Sequence, residues 1–301
     1  MTPRVSIGLP VYNGERHLAE ALDSILAQDF GDFELIISDN ASTDATQDIC
    51  EAYARRDPRI TYSRLPENVG AARNYNRTYH MSTGRLFKWA AHDDRLHPAF
   101  LSRCVGAFDS FGSPPAIVHP KAEFIDEDGL VIGPDRDSMR ADSEYPFIRA
   151  FQTLQAMNMA ASVFGVCNKE ILDRTGLIRS FIASDYVLLL EAGMLGKIIQ
   201  LEGEPLFQKR IHQGMSRKAN VSDRDVLDWF DPQARLTIAS GKKFYLEYLR
   251  SPIRMVELSW AEKVLCIGTI VSGVAVKRTR VFAGKHRRRL VSRLARGGDL
   301  S

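Results

Sequence analysis

Short apolar runs alternate with amphipathic stretches through the first hundred residues, and this pattern limits the possible fold more than any other feature of the chain. Val5–Leu9, Leu35–Ser38, Ile60–Leu65 and Leu86–Ala91 read as strands. Glu15–Gln28, Thr43–Arg55 and Val69–Met81 read as helices, with apolar residues such as Leu18, Leu22 and Ile25 at helical spacing. Strand–helix–strand units joined by right-handed crossovers build a mostly parallel sheet. All four strand ends then fall on one edge, which is where open α/β sheets bind ligands.

Beyond His97 the pattern loosens. A helix is expected over Ala99–Ser110, then short strands at Ile117–His119 and Glu123–Ile125 with Asp126-Glu127-Asp128-Gly129 as a turn. Residues 133–146 read as a polar loop able to serve as a lid. A segment at Ala161–Cys167, helices starting at Asn168 and at Asp185, and strands at Ile198–Leu201 and Pro205–Ile211 complete the main domain. Helices are expected from Asp223 to the end.

A hydrophobic content of 45% with 26% charged residues permits a sizeable core and argues against disorder. The cysteines at 50, 104, 167 and 266 form no Cys-x-x-Cys pair, which suits reduced thiols in a cytoplasmic setting better than a disulfide framework or zinc site. The N-terminus enters a strand at once and lacks the charged and apolar regions of a secretory leader. From Lys263 onward there are ten Lys or Arg against one acid, so the net charge of +3 is carried by the tail and the rest of the chain is acidic. Such asymmetry points to an anionic surface as partner.

Acids recur just after the expected strands. Asp39 follows Leu35–Ser38, and Asp93-Asp94 follow the strand that ends at Ala91. Adjacent carboxylates at a strand end suit a hard divalent cation, Mn2+ or Mg2+, which needs few protein ligands when phosphate oxygens supply the rest. They equally suit a solvated turn before a helix, since acids favour helix N-termini. Spacing alone leaves both readings open.

Four segments together resemble family 2 glycosyltransferases of the GT-A fold: Val5-Ser6-Ile7-Gly8-Leu9-Pro10-Val11-Tyr12-Asn13-Gly14-Glu15, Ser38-Asp39-Asn40-Ala41-Ser42-Thr43-Asp44, Asn68-Val69-Gly70-Ala71-Ala72-Arg73-Asn74 and His92-Asp93-Asp94. The likeness weakens through 100–180 and resumes around Asp185 and His212. It implies a Rossmann-like, mostly parallel sheet flanked by helices, with a catalytic domain over 1–218 and a C-terminal helical extension with a basic tail over 219–301. Within the catalytic domain the donor half would span about 1–98 and the acceptor half about 99–218.

The resemblance also implies roles. Pro10 and Tyr12 would lie in the loop that holds the nucleobase, where an aromatic face can stack. Asp39 would pair with a base imide, Arg73 would stand near the diphosphate, and Asp93 would contact donor ribose or sugar. Asp94 would ligate the metal, with His212 reaching metal or diphosphate. Asp185 would be the catalytic base. Read as local structure instead, Ser42 and Thr43 fit helix capping, Asp44 fits a first helical turn, and Ser184 fits a cap before Asp185.

The expected reaction is therefore inverting, metal-dependent hexosyl transfer from a nucleotide diphosphate sugar, UDP-sugar by resemblance, to an acceptor hydroxyl on a glycan or lipid-linked molecule in cell-surface polysaccharide or glycolipid synthesis. A sugar nucleotidyltransferase would instead open with a Gly-rich phosphate loop, where this chain has Leu9-Pro10-Val11-Tyr12-Asn13. An inactive membrane- or nucleic-acid-binding module would have no use for the acids at 39, 93, 94 and 185, and no nucleic acid partner is expected. The charge-free run Val264–Val276 is 13 residues long, too short to span a bilayer. It could lie in the interface with Trp260, as expected of a protein peripheral to the inner face of the membrane, or pack Leu265, Ile267, Ile270 and Val271 on the domain.

Overall fold

In the computed structural model, the described residues are 2–135, 138–157, 160–181, 183–212, 223–233 and 240–297. The N-terminal half runs β1 (Val5–Val11), α1 (Leu18–Leu26), β2 (Phe33–Asp39), α2 (Thr46–Arg56), β3 (Ile60–Arg64), α3 (Ala71–His80) and β4 (Leu86–Trp89). All seven residues of β1 are buried, as a strand covered on both faces by helices requires. Leu18, Ala21, Leu22 and Ile25 form the buried stripe of α1. A methyl group at Gly8 would collide with the Thr78 hydroxyl and the Phe87 ring, so glycine there lets α3 lie close against β1.

Next come β5 (Arg95–Leu96), α4 (Phe100–Ser110), β6 (Ile117–His119), β7 (Ala122–Ile125), β8 (Val131–Pro134) and α5 (Pro146–Ala156). A short 3-10 turn (Ala161–Phe164) leads to β9 (Val166–Asn168), α6 (Lys169–Leu172), α7 (Ser184–Leu195), β10 (Ile198–Gln200) and β11 (Phe207–Arg210). The last three helices are α8 (Asp223–Phe230), α9 (Ser240–Arg254) and α10 (Trp260–Gly297).

The main sheet has seven strands in the order β10-β6-β9-β4-β1-β2-β3, and a smaller one has four in the order β5-β11-β7-β8. Strands β4, β1, β2 and β3 are mutually parallel, while β9 runs antiparallel to both β4 and β6. Because β2 and β3 extend to one side of β1 and β4 lies on the other, the strand order reverses between β1 and β4. A crevice opens at such a reversal.

One expectation needs correction. The strands expected at 117–119 and 123–125 and the turn at 126–129 are present, the two strands in different sheets, but the turn leads into β8, which lies partly inside the stretch read as a polar loop. That stretch is not a free lid over its described residues, because Met139 and Ala141 are buried and Ala141 bridges Ile198 at the edge of the main sheet. The 218/219 boundary lies outside the described residues. Beyond it, Tyr248, Met255, Cys266 and Ile270 share a core with Ala150, Leu154, Val187, Leu190 and Met194, so α9 and α10 pack directly on α5 and α7. All four cysteines are free and buried, and burial pushes their thiols up.

Candidate active site

The crevice is lined by loops that hold one another in place. After β1, Asn13 takes a left-handed turn, φ 50°, which its residue type tolerates. Its backbone N–H donates to Ser42 Oγ at 2.9 Å, and its side-chain oxygen accepts from the Thr43 N–H at 2.9 Å. The Gly14 N–H donates to Thr46 Oγ1 at 2.8 Å, and Glu15 accepts from the Ala45 N–H at 2.9 Å. Asn40 receives the Val69 N–H at 2.9 Å, and the buried Asn74 donates to Ser38 O at 2.9 Å. Polar residues that would otherwise extend α1, α2 and α3 toward their N-termini are spent on these ties, so each helix starts later than its sequence pattern suggests. Ser42 and Thr43 are consequently not caps. They lace the loop after β2 to the loop after β1.

Pro10 is buried within β1, and Tyr12 stands exposed at the mouth. Asp39 is wholly enclosed. Its carboxylate accepts from the Ser42 N–H at 2.8 Å and the Tyr62 hydroxyl at 2.9 Å, with Arg64 Nε at 3.4 Å. These bonds fix the orientation of the Asp39 carboxylate, whose oxygens retain further acceptor capacity. Arg73 is half exposed on α3, with Asp231 at 3.7 Å.

Asp93 and Asp94 occupy the passage from β4 in the large sheet to β5 in the small one. The end of β11 meets them there. The Arg210 N–H donates to Asp94 Oδ1 at 2.9 Å, Arg210 Nε donates to Asp93 O at 2.9 Å, and His212 Nε2 lies 2.9 Å from Asp93 Oδ2. The buried guanidinium of Arg210 also donates to Asp126 O at 3.0 Å, to Glu127 O at 2.9 Å and to the Glu20 carboxylate. One side chain thereby fastens the acidic turn to α1 and to the β7–β8 turn.

The two neighbouring acids are driven in opposite directions. Burial and then the charge of Asp93 push the Asp94 carboxyl up. Burial acts on Asp93 in the same sense, but the His212 hydrogen bond and the positive fields of His92 and His212 outweigh it, and Asp93 is held below the usual carboxylate range. His17 packs edge-on to His212 with ring centroids 5.3 Å apart. Burial first, then Arg210 and His212, lower its basicity, and its buried Nε2 has no partner.

Asp185 lies in the first turn of α7, which the chain enters through Ala183 at φ 63°. Ser184 is the first helical residue and its buried hydroxyl has no partner, so it does not cap the helix. Asp185 joins the Asp93–Asp94 pair electrostatically: burial pushes the Tyr75 phenol up, and Asp93, Asp94 and Asp185 each add to that push. Tyr75 thus feels the acidic turn and the start of α7 together.

The profile of glycosyl transferase family 2 matches residues 6–176, more than half of the chain and all four strand ends described above. The chain belongs to that family. Among curated relatives, an uncharacterized glycosyltransferase of Rickettsia typhi is 32% identical over 126 residues, 42% of this chain and 38% of that protein. TuaG of Bacillus subtilis, provisionally assigned as a teichuronic acid biosynthesis glycosyltransferase, is 37% identical over 93 residues, 31% of this chain and 37% of TuaG. The chain thus spans well under half the length of these relatives. Among solved structures, S. aureus TarS 1-349 in complex with UDP-GlcNAc superposes with a TM-score of 0.64 at 18% identity, covering 90% of this chain and 72% of TarS. Mannosyltransferase PcManGT of Pyrobaculum calidifontis, in complex with GDP-Man and Mn2+, gives 0.54 at 15% identity, covering 96% of this chain and 81% of that one. These likenesses establish the GT-A fold.

The structure joins His212 to the Asp93–Asp94 turn, sets Asp93, Asp94 and Asp185 within electrostatic reach of Tyr75, encloses Asp39 beneath the loop after β2, and pairs Arg73 with Asp231. Arg210, Tyr75 and His17 were missed. Arg210 was detectable, since period-two alternation in a strand puts it on the same side as His212. Among the described residues no three His, Cys, Asp or Glu side chains form a preformed metal cage. The donor set nevertheless fits a divalent cation that takes most of its ligands from phosphate and water. It offers a buried carboxyl that favours its proton while no cation is present, a second carboxylate, and an imidazole backed by that carboxylate in the manner of metal-ligating histidines.

Proposed function

We propose that this protein is an inverting hexosyltransferase that moves a sugar from a nucleotide diphosphate donor, a UDP-sugar in the first instance, to a hydroxyl of a glycan or lipid-linked acceptor on the cytoplasmic side of a cell envelope. The observation that carries this reading is the Asp93–Asp94 turn at the crevice between β1 and β4, held by His212 and Arg210 and within electrostatic reach of the same Tyr75 as Asp185. Family membership and the nucleotide-sugar complexes of TarS and PcManGT support it.

In this reading Asp185 takes the proton of the acceptor hydroxyl as that oxygen attacks the anomeric carbon, which is general base catalysis from the face opposite the leaving group. Asp94, with His212, would hold Mn2+ or Mg2+, whose charge would offset that of the departing diphosphate. Asp93, kept ionised by His212, accepts hydrogen bonds from donor hydroxyls. Tyr12 offers its exposed ring to the base, and Asp39 supports the base site from behind by fixing the Ser42 and Tyr62 positions. Arg73 stands on the helix facing the diphosphate and would exchange Asp231 for a phosphate oxygen.

The test is incubation of the purified protein with Mn2+ and a panel of UDP-, dTDP-, GDP- and CMP-sugars, with release of nucleotide and inversion at the anomeric carbon read by NMR. Nucleotide release from one donor, accelerated by a saccharide acceptor and yielding the opposite anomer, is expected. Retained configuration, or formation of nucleotide sugar from nucleoside triphosphate and sugar phosphate, would overturn it.

A further inference from the structure

The long C-terminal helix α10 has two unlike faces. On one, Cys266 and Ile270 are buried in the core shared with α5 and α7, and Lys277 donates to the Leu154 and Met157 carbonyls at the end of α5. On the other, Trp260 is 79% exposed, Val264 50% and Val271 56%, at helical spacings that put all three in one line. The chain that leads into this helix adds Val256, 86% exposed, and Ile253, whose carbonyl accepts from Lys263 in the first turn of α10. Packing of α10 on the domain is therefore real but uses only half of the helix, and Val271 is outside the packed half.

What covers the other half is indicated by charge. The same helix continues to Gly297, and between residues 277 and 296 it carries nine Lys or Arg and no acid, while the chain before Lys263 has an excess of acids. No helix among the described residues is long and apolar enough to cross a membrane. A helix with an exposed tryptophan and aliphatic line, continuous with a cationic stretch, matches the chemistry of an anionic bilayer surface, which supplies an acyl boundary for the first and phosphate headgroups for the second. A protein partner would supply the apolar cover without requiring the basic run, and a nucleic acid would attract the basic run without covering the apolar line.

We propose that α10 is an interfacial helix that seats the protein on an anionic phospholipid surface, the Trp260–Val271 line entering the headgroup–acyl boundary and the basic run beyond Lys277 and Arg278, which are themselves held on the domain, engaging headgroups. The inference is independent of the reaction catalysed. It is tested by flotation of the full chain with vesicles of phosphatidylcholine alone or mixed equally with phosphatidylglycerol, at low and high salt. Capture by the anionic vesicles is expected to exceed that by neutral ones by about tenfold and to fall with salt. Because Val264 and Val271 are exposed, the Val264→Asp/Val271→Asp double variant should keep the wild-type melting temperature and lose capture. The Arg287→Gln/Arg288→Gln/Arg289→Gln variant should weaken capture and flatten its salt dependence. Equal flotation with both vesicle types would overturn the proposal, as would unchanged capture of the double variant. So would a dimer in solution that the double variant dissolves, or retention on a duplex oligonucleotide with none on vesicles.

Discussion

Replacing Arg210 with methionine isolates what holds the acidic turn in place. Methionine fills most of the apolar volume of the arginine stem, so packing changes little. The backbone N–H that donates to Asp94 Oδ1 survives the change. What is lost is the guanidinium, and with it the donors at 2.9 Å to Asp93 O, 3.0 Å to Asp126 O and 2.9 Å to Glu127 O, together with the Glu20 ion pair. Hydrogen bonds made by a charged donor contribute about 1.5–3 kcal/mol each, and removing one partner of a buried pair costs about 3–5 kcal/mol. The Glu20 side chain is 41% exposed, so water replaces part of what it loses. The carbonyls are more enclosed. A loss of about 3 kcal/mol is expected, or roughly 5 °C in melting temperature for a chain of this size. Urea unfolding gives the stability, and calorimetry with UDP and Mn2+ gives the binding. Both should fall, and Arg210→Lys should recover only part of either, because an ammonium cannot reproduce the fork. A methionine variant within about 1 kcal/mol of wild type that binds UDP with wild-type affinity would refute the tethering argument.

Asp94→Asn should fold normally, because it removes a charge that burial already disfavours, and should abolish metal-dependent UDP binding in calorimetry; unchanged affinity would remove Asp94 from the metal site. Asp185→Asn should retain UDP binding and lose transfer by about a hundredfold or more, as a general base acts on the acceptor and not the nucleotide; near wild-type turnover would make it only a helix-terminal acid. Lys88 is fully buried, and burial pushes its ammonium down to about 8 from the ordinary 10.5. Between those values the unfolded chain holds a proton that the folded chain has lost, so Lys88 makes stability rise with pH by on the order of 3 kcal/mol across that window. Lys88→Met should abolish that increment in chemical unfolding measured at pH 8 and pH 10.5, and parallel curves for the two proteins would show that Lys88 does not titrate there.

The first strands were legible from short apolar runs, and in β1 and β2 burial on both faces is what such a run requires; β3 is a half-exposed edge strand, legible from its place between two helical patterns. The helix starts were not. Ser42 and Thr43 look like capping residues in a local reading, but their partner Asn13 lies about thirty residues away on the neighbouring loop. A local pattern carries no record of such ties. In the small sheet β7 and β11 were legible and the other two strands were not: β5 is only two residues long and β8 is an exposed edge, so neither displays the apolar alternation that marks a strand.

For the site, the residue types were legible and their states were not. Asp93 and Asp94 are the same residue side by side, yet one is held ionised and the other is pushed toward its protonated form. The difference comes chiefly from His212, which lies 119 residues downstream of Asp93 and bonds its carboxylate, while Arg210, 117 residues downstream, fastens the Asp93 carbonyl; both reach the turn because β11 pairs with β5. Pairing of β11 with a two-residue strand therefore sets the charge at the strand end where a nucleotide would bind. The two acids behave as a unit only while that pairing holds, and for this reason the perturbation with most leverage on the site is in Arg210, a residue that carries none of the proposed chemistry.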